Sequence, residues 1–422
     1  MARKRLKKSN KPTPDGKPDE KPAEEPAESV PDDDGEEDLK FRMDRTPEER
    51  RAARRDAVGA VVSLVLTLVL FVACLLVWHF RERFERDAIV VSDRASVAKE
   101  EYILESGAGQ VFAQAGSGLA AASTSGLELL DENAGLAASR LFPMNTPAIA
   151  ACADFALFYD LGGTNMVVAR FDGTTRELTC AGDIISATVS QGGVIAVTTE
   201  CTGYRALVTV YNSALDPIYE WYSSSAWVMT AAVSPDGRSM AVLVYTAAGS
   251  EVRFFSLTKT EQQAELVAED TLLLDLHWIS GSQLCAYSSE AAWFFSAKGE
   301  LASMYSFEGR YLSACTFDSA GCAVFALSDY RSGTTETLVS LDTAGAVLGT
   351  AELQSEIIAL TASGGEVLVL CPDAAVLLSG SLIEKGRLYG VTGFKYGILR
   401  SRGEALLIST NYAEVYTFDS AA

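Results

Sequence analysis

The sequence predicts an all-β protein: a single β-propeller that follows one transmembrane α-helix and a disordered N-terminal tail. Three observations support this fold class. After residue 100, short apolar runs alternate with glycine-rich turns, these turns recur about every forty residues, and one uninterrupted apolar run covers residues 57–80. Repeats of ~40 residues with four strands each are typical of propeller blades. The predicted divisions are a cytoplasmic tail (1–45), a juxtamembrane and transmembrane helix (46–80), a stalk (81–100) and the propeller (101–422).

The first 45 residues are predicted to be a solvated tail. Six prolines lie between Pro12 and Pro31, and Phe41 is the only aromatic residue among the first 41. Such a segment offers little apolar area to offset the entropy lost on ordering. The acidic run from Asp32 to Asp38 lacks the alternating ligand spacing of a calcium loop. A docking strip for a cytosolic partner and a plain spacer both remain open.

A helix is predicted to begin at Thr46, because Pro47 suits the first helical position and Glu49 completes a capping box. It continues into residues 57–80, which contain no Asp, Glu, Lys or Arg. At ~1.5 Å per residue this run extends about 36 Å, enough to cross a hydrocarbon core of about 30 Å. A cleavable signal peptide is disfavoured, because 56 residues precede the run and no small-residue cleavage site follows it.

Arginines flank the predicted span on both sides. Six lie between Arg42 and Arg55 and four between Arg81 and Arg94, so the positive-inside comparison favours a cytoplasmic N-terminus. The propeller is therefore expected outside the cell membrane, with the lipid bilayer as one partner. The residues expected at the two membrane interfaces are Arg50, Arg51, Arg54, Arg55, Trp78 and Arg81.

Charge is concentrated in the part of the chain after the span. The whole chain has 35 Lys+Arg and 56 Asp+Glu, a formal charge of -21, and residues 81–422 alone have 20 and 40, which gives -20. Nucleic acid is excluded as the main partner, because phosphate backbones are held by clustered Lys and Arg. The chain has 2 histidines, which argues against imidazole-based catalysis or metal binding.

Eight turns precede the most apolar strands and set the number of blades. From Gly193 onwards their glycines are spaced by 44, 44, 40, 44 and 38 residues. Eight blades are favoured, and seven remain possible if the weak unit near Cys152 is irregular. The last unit offers only three strands, so a strand such as Glu101–Glu105 is expected to close the ring. The turns lie at Gly118, Cys152–Asp154, Gly193, Ser234–Gly237, Ser280–Ser282, Asp318–Gly321, Ser363–Gly365 and Ser401–Gly403.

The clearest turn, Ser234-Pro235-Asp236-Gly237 with the following Arg238 to Ala241, resembles the turn of WD-repeat-like propellers and of the propeller in the Tol translocation system. The other repeats share only the spacing, and the Trp-Asp and Gly-His pairs of true WD repeats are absent. The whole layout also resembles a family of uncharacterised bacterial single-pass membrane proteins classed as a domain of unknown function. This resemblance implies architecture and no chemistry.

No catalytic, metal-binding or cofactor-binding motif is present, so we expect no enzyme, no metal and no cofactor. His277 is the only histidine after the span, and Asp275 could orient it as a general base, although no nucleophile is implied. A structural role is favoured. Seven cysteines follow the span, and their positions in apolar strands favour mostly free, buried thiols.

A candidate partner-binding patch consists of the aromatic residues Tyr219, Trp221, Tyr222 and Trp227, which cluster where one blade passes to the next. Packing between blades explains the same cluster equally simply and is favoured. The function predicted is therefore a membrane-anchored, non-catalytic binding or scaffold protein with an envelope or extracellular protein partner. A receptor-like relay and a quinoprotein-like or hydrolytic propeller enzyme are the alternatives.

Overall fold

The computed structural model describes most of the predicted propeller and six residues before it. The described residues are 65, 68–69, 98–104, 109–259, 261–318, 321–331, 335–400 and 403–418. The chain divides after Glu85 into two units, and the second contains every strand given below.

The predicted tail, most of the predicted membrane helix and most of the predicted stalk lie outside the described residues. Of the predicted membrane helix, Val65, Leu68 and Val69 are described, and their backbone is helical. The predicted interface arginines and Trp78 also fall outside. Within the ranges given above, no helix is long and apolar enough to cross a membrane.

The described chain forms eight antiparallel sheets of four strands each, so the eight-blade prediction is confirmed and the seven-blade alternative is wrong. Blades 1 to 7 are β2–β5, β6–β9, β10–β13, β14–β17, β18–β21, β22–β25 and β26–β29, and blade 8 combines β30–β32 with β1. The strands are β1 (Glu100–Ile103), β2 (Val111–Ala115), β3 (Gly118–Ala122), β4 (Gly126–Leu130), β5 (Leu136–Leu141), β6 (Pro147–Ala151), β7 (Phe155–Asp160), β8 (Asn165–Arg170), β9 (Thr175–Thr179), β10 (Ile184–Val189), β11 (Ile195–Thr199), β12 (Ala206–Tyr211), β13 (Pro217–Ser223), β14 (Trp227–Val233), β15 (Ser239–Thr246), β16 (Gly249–Ser256), β17 (Glu261–Glu269), β18 (Leu273–Trp278), β19 (Gln283–Ser288), β20 (Ala291–Ser296), β21 (Leu301–Ser306), β22 (Tyr311–Asp318), β23 (Cys322–Ser328), β24 (Glu336–Asp342), β25 (Val347–Leu353), β26 (Ala359–Ser363), β27 (Glu366–Leu370), β28 (Ala374–Ser379), β29 (Glu384–Tyr389), β30 (Tyr396–Arg400), β31 (Glu404–Ile408) and β32 (Tyr412–Thr417).

The four strands of each blade are labelled A to D, from the inner strand outwards. Each predicted turn connects strands A and B of one blade. In blade 4 the Ser234 hydroxyl accepts a hydrogen bond from the Ser239 amide at 3.0 Å, and the Gly237 amide donates to the Ser234 carbonyl at 2.9 Å. Gly237 has a φ of +70°, which favours a residue without a Cβ. The turn chemistry read from the sequence therefore sets the A–B hairpin.

The hydrophobic core is divided into eight clusters, and each cluster lies between two neighbouring blades. The central strands of a blade are buried on both faces, as shown by the uniformly buried residues of β7 and β23. At about 25 cal/mol per Å² of apolar surface, this shared burial is the main stabilisation of each sheet, which could not cover two apolar faces alone.

Side chains connect the inner A strands of adjacent blades, which are separate sheets. The Trp278 indole Nε1 donates to the carbonyl of Ala232 at 3.0 Å, and the Thr361 hydroxyl donates to the carbonyl of Gly397 at 2.8 Å. The Gly365 amide donates to Asp318 Oδ2 at 2.6 Å. These bonds fix the distance between blades around the axis.

Strand β1 closes the ring, as the sequence predicted, although it starts one residue earlier than expected. Glu100 pairs with Val415 and Ile103 pairs with Tyr412, so the first strand in the chain is the outer strand of the last blade. Leu104, directly after β1, is 3% exposed and joins the core cluster between blades 8 and 1. Closure leaves no blade with an uncovered apolar face.

The first prediction concerns this closure. Leu104→Ala should lower the free energy of unfolding by about 2–5 kcal/mol, because it removes buried methyl groups and leaves a cavity beside the closing strand. The matched control is Ile103→Ala, since Ile103 is 75% exposed and its truncation should cost less than about 0.5 kcal/mol. Urea unfolding of the full-length protein measures both. Equal effects of the two substitutions would contradict the role assigned to Leu104.

Candidate functional site

The two ends of the blades form two distinct faces of the ring. The A–B and C–D turns lie at one end, called the A–B face, and the B–C loops and the D–A connections between blades lie at the other, called the D–A face. Strand β1 begins at Glu100, which pairs with Val415, and ends at Ile103, which pairs with Tyr412. Because Tyr412 follows a B–C loop, β1 ends at the D–A face. The chain therefore enters the ring at the A–B face. The D–A face is therefore opposite the point of entry.

All exposed aromatic side chains of the described residues lie at the D–A face. Two are in B–C loops, two begin A strands and two lie at the ends of D strands. Their exposed fractions range from 42% for Tyr222 to 75% for Tyr330. The six residues are Tyr204, Tyr222, Trp227, Tyr311, Tyr330 and Tyr389.

Bulges in the inner strands add exposed aliphatic side chains to the same face. In each of blades 3 to 6, a bulge near the start of the A strand interrupts its pairing with the B strand. Met229 and Leu274 are the bulged residues of blades 4 and 5 and have no partner in the B strand. A bulge of this kind redirects side chains. Met229 is 39% exposed and Leu274 is 46% exposed as a result.

A groove on this face, with a volume of about 690 Å³, lies beside blade 3. It is lined by the connection that carries Asp183, the B–C loop that carries Glu200 to Arg205, and Trp227 from the start of blade 4. The Glu200 amide donates to the carbonyl of Asp183 at 2.9 Å, which joins the two loops. Gly182 permits this approach, because a Cβ there would lie 2.0 Å from the Glu200 carbonyl oxygen.

Arg205 and Trp227 form a stacked pair in this groove, with the guanidinium carbon 4.5 Å from the centre of the ring. The backbone fixes both partners. The Arg205 amide donates to the carbonyl of Ser223 at 2.7 Å, and the Ser223 hydroxyl donates to the carbonyl of Ala226 at 2.6 Å. The pair is therefore positioned by the turn that connects blades 3 and 4.

Tyr204 and Tyr222 form a second aromatic pair at the edge of the groove, with ring centres 4.9 Å apart. The Tyr222 hydroxyl donates to Glu220 Oε2 at 2.9 Å, and this bond to a carboxylate raises the pKa of Tyr222. The phenol stays protonated at neutral pH, so this edge of the groove is a neutral aromatic surface.

The structure divides the predicted aromatic patch into two roles. Tyr222 and Trp227 are exposed beside the groove. Trp221 packs against Phe255 of the next blade with ring centres 5.1 Å apart, and Tyr219 is half-buried in the same core cluster. Packing between blades therefore explains Trp221 and Tyr219, whereas the other two face solvent.

Tyr204 and Arg205 were missed by the sequence analysis, although a signal was present. Both occupy the B–C loop of blade 3, and Tyr330 occupies the corresponding loop of blade 6. Comparison of the loops after the second strand of every repeat would have found them. The stacking of Arg205 on Trp227 joins two blades and has no counterpart in local sequence.

His277 lies in the central channel, beside a cavity of about 200 Å³. Its Nε2 is 3.2 Å from Asp275 Oδ2, and its ring stacks on Phe317 at 4.1 Å. Burial acts to raise the pKa of Asp275, but the hydrogen bond and charge of His277 and the amide of Leu276 outweigh it, so the pKa is lowered. The pairing expected between these two residues is present.

Potential nucleophiles near His277 are protonated. Burial raises the pKa of Cys315, and burial also raises the pKa of Tyr287. Cys315 and Tyr287 share a hydrogen bond. Cys285 opposite His277 in the sheet is fully buried, which also raises its pKa. All seven cysteines after the span are free, and five are buried, as the sequence predicted. Among the described residues, no group of three or more metal-ligating side chains is present.

A family model matches residues 91–379, from before β1 to the end of β28, and its description is a family of unknown function, DUF5711. This match covers more than half of the chain. The chain belongs to the DUF5711 family. No curated protein matches the sequence.

Solved structures show that the DUF5711 propeller has a WD40-like fold. The Saccharomyces cerevisiae protein Sqt1 is 9% identical with a TM-score of 0.54, and the match covers 76% of this chain and 98% of that one. The C-terminal WD40 domain of Sif2 is also 9% identical with a TM-score of 0.54, and the match covers 77% and 99%. Such low identity shows the fold alone, so the predicted WD-repeat-like architecture is confirmed without any function.

The second prediction concerns the channel of the DUF5711 propeller. The pKa of Asp275 is lower in the folded chain than in the unfolded chain. Ionised Asp275 therefore stabilises the fold at any pH above its pKa in the unfolded chain. This contribution is lost as the pH falls through the pKa of Asp275 in the folded chain. Asp275→Asn should therefore be destabilising at pH 7, and the difference from wild type should shrink as the pH falls below the pKa of Asp275 in the unfolded chain.

Urea unfolding between pH 2.5 and 7 measures this difference. His277→Gln in the same series should remove most of the pH dependence attributed to Asp275, because the imidazole supplies two of the three interactions that lower the pKa of Asp275, and the Leu276 amide supplies the third. A difference that does not change with pH would show that the carboxylate is not coupled to His277.

Proposed function

We propose that this protein is a membrane-anchored, non-catalytic binding protein that presents its propeller outside the cytoplasmic membrane and engages an envelope or extracellular protein through the D–A face. The observation that carries the proposal is the position of the exposed aromatic side chains, all six of which lie at that face in the described chain. Tyrosine and tryptophan are enriched at protein interfaces, where a few such side chains supply most of the binding energy.

The position of chain entry supports the same face. Strand β1 begins at the A–B face, so the chain enters the ring at the end opposite the proposed binding face. The A–B face also lacks exposed aromatic side chains among the described residues. A partner of protein nature is favoured over nucleic acid because residues 81–422 carry 40 acidic and 20 basic residues.

The state of the channel supports a non-catalytic role. His277 and Asp275 form a pair that resembles half of a catalytic arrangement, but the raised pKa values of Cys315 and Tyr287 keep both groups protonated at neutral pH. Neither group is then an activated nucleophile. A structural role for the pair accounts for its stacking on Phe317.

Membrane anchoring rests on residues 57–80, whose length and lack of charged residues suit a bilayer span. The third prediction tests it with the full chain carrying an N-terminal or a C-terminal epitope tag. In intact cells, protease should remove the C-terminal tag and leave the N-terminal tag untouched. The reverse pattern would place the propeller in the cytoplasm, and extraction of the protein by carbonate would exclude the anchor.

The fourth prediction tests the binding face by crosslinking. A photoreactive amino acid placed at Tyr311 or Tyr330 should capture a protein partner in cells, and additional Trp227→Ser and Met229→Ser substitutions should reduce the yield about tenfold or more. The matched control is Val347→Ser with Ile383→Ser, because these side chains are 52% and 67% exposed near the A–B face. Equal losses in both variants would contradict the assignment of the D–A face.

A further inference from the structure

The groove beside blade 3 contains a positioned arginine, Arg205, whose guanidinium has no hydrogen-bond partner among the residues that the structure describes. The Arg205 guanidinium stacks on Trp227 at 4.5 Å, and it makes no ion pair or hydrogen bond with any described residue. Other arginines of the propeller pair with carboxylates: Arg253 with Glu251 at 2.6 Å and Arg387 with Glu384 at 2.8 Å. Arg205 remains unpaired even though Asp183 and Glu200 line the same groove.

A guanidinium that lies over an indole face keeps its planar set of N–H donors available to a further partner. This arrangement suits a carboxylate, which accepts two parallel hydrogen bonds from it. The amide of Arg205 and the turn before Trp227 are hydrogen-bonded, so little conformational entropy is lost on binding. The stacked pair is therefore preorganised for one carboxylate.

The remaining lining of the groove defines what must surround that carboxylate. The rings of Tyr204 and Tyr222 offer an apolar surface, because the Tyr222 hydroxyl is occupied by Glu220. Asp183 and Glu200 are exposed and repel a ligand with several negative charges, but they attract cationic side chains. The excess of acidic residues on the propeller also steers a basic partner towards it.

We propose that this groove binds a mixed-charge segment of a protein partner, in which one carboxylate side chain contacts Arg205, adjacent apolar residues cover Tyr204 and Tyr222, and flanking lysine or arginine side chains contact Asp183 and Glu200. This inference rests on the proposed binding function and adds the chemistry of the ligand. The volume of about 690 Å³ accommodates several side chains of an extended segment.

The test uses the full-length protein in detergent and a fluorescein-labelled peptide, Lys-Leu-Glu-Leu-Lys, measured by fluorescence anisotropy. Replacement of glutamate by glutamine in the peptide should raise the dissociation constant about tenfold, and Arg205→Gln in the protein should do the same. The two changes together should cost no more than either alone, since they remove the same contact. Replacement of both lysines by glutamate should abolish binding.

Two variants separate this contact from general effects. Arg205→Lys keeps the charge but loses the planar donors, so it should weaken binding by an intermediate factor. Arg238→Gln is the matched control, because Arg238 is an exposed arginine in the A–B turn of blade 4, and it should leave the dissociation constant unchanged. Equal binding of the glutamate and glutamine peptides, or no binding of any peptide, overturns the proposal.

Other occupants give different outcomes in the same experiment. Binding to vesicles of anionic lipid without discrimination among peptides would assign the groove to a membrane surface, and dimerisation lost in Arg205→Gln would assign it to a second copy of this chain; either overturns the proposal. Crosslinking at Tyr311 or Tyr330 distinguishes this failure from that of the binding function. A partner captured there and retained by Arg205→Gln leaves the D–A face valid and refutes only the role of Arg205.

Discussion

Burial of apolar surface between neighbouring sheets is the interaction on which the whole propeller depends. Each blade has two apolar faces and covers neither alone, so the eight core clusters all lie between blades. Stability is therefore shared around the ring rather than held in one centre. Closure by β1 follows from this constraint, since an open ring would expose the faces of blades 1 and 8 to water.

The same constraint separates the rigid part of the molecule from the part free to bind. The central strands are committed to packing, which leaves the loops and strand ends to vary. The inner-strand bulges of blades 4 and 5 show this division, because they keep Leu276 and Val228 in the core while they expose Leu274 and Met229 at the D–A face. A scaffold of this kind holds exposed aromatic groups in fixed positions, which lowers the entropic cost of binding a partner.

Most of the fold was predictable from the sequence because its signals are local. The turn at Ser234 to Gly237 is set by residues within the turn, and the alternating strands of the repeats need no distant information. The candidate site was only half predictable. Trp221 and Trp227 are six residues apart, yet one packs on Phe255 and the other is exposed.

The sequence by itself provided the repeat spacing that favours eight blades, a closing strand and no recognised catalytic motif, because spacing and turn chemistry act over short stretches of chain. Only the tertiary structure decided which side chains share a face. Exposed aromatic residues from different blades lie at one end of the ring, and Arg205 meets Trp227 across a blade boundary. Such contacts depend on the rotation from one blade to the next, a property of the closed ring that no single repeat encodes.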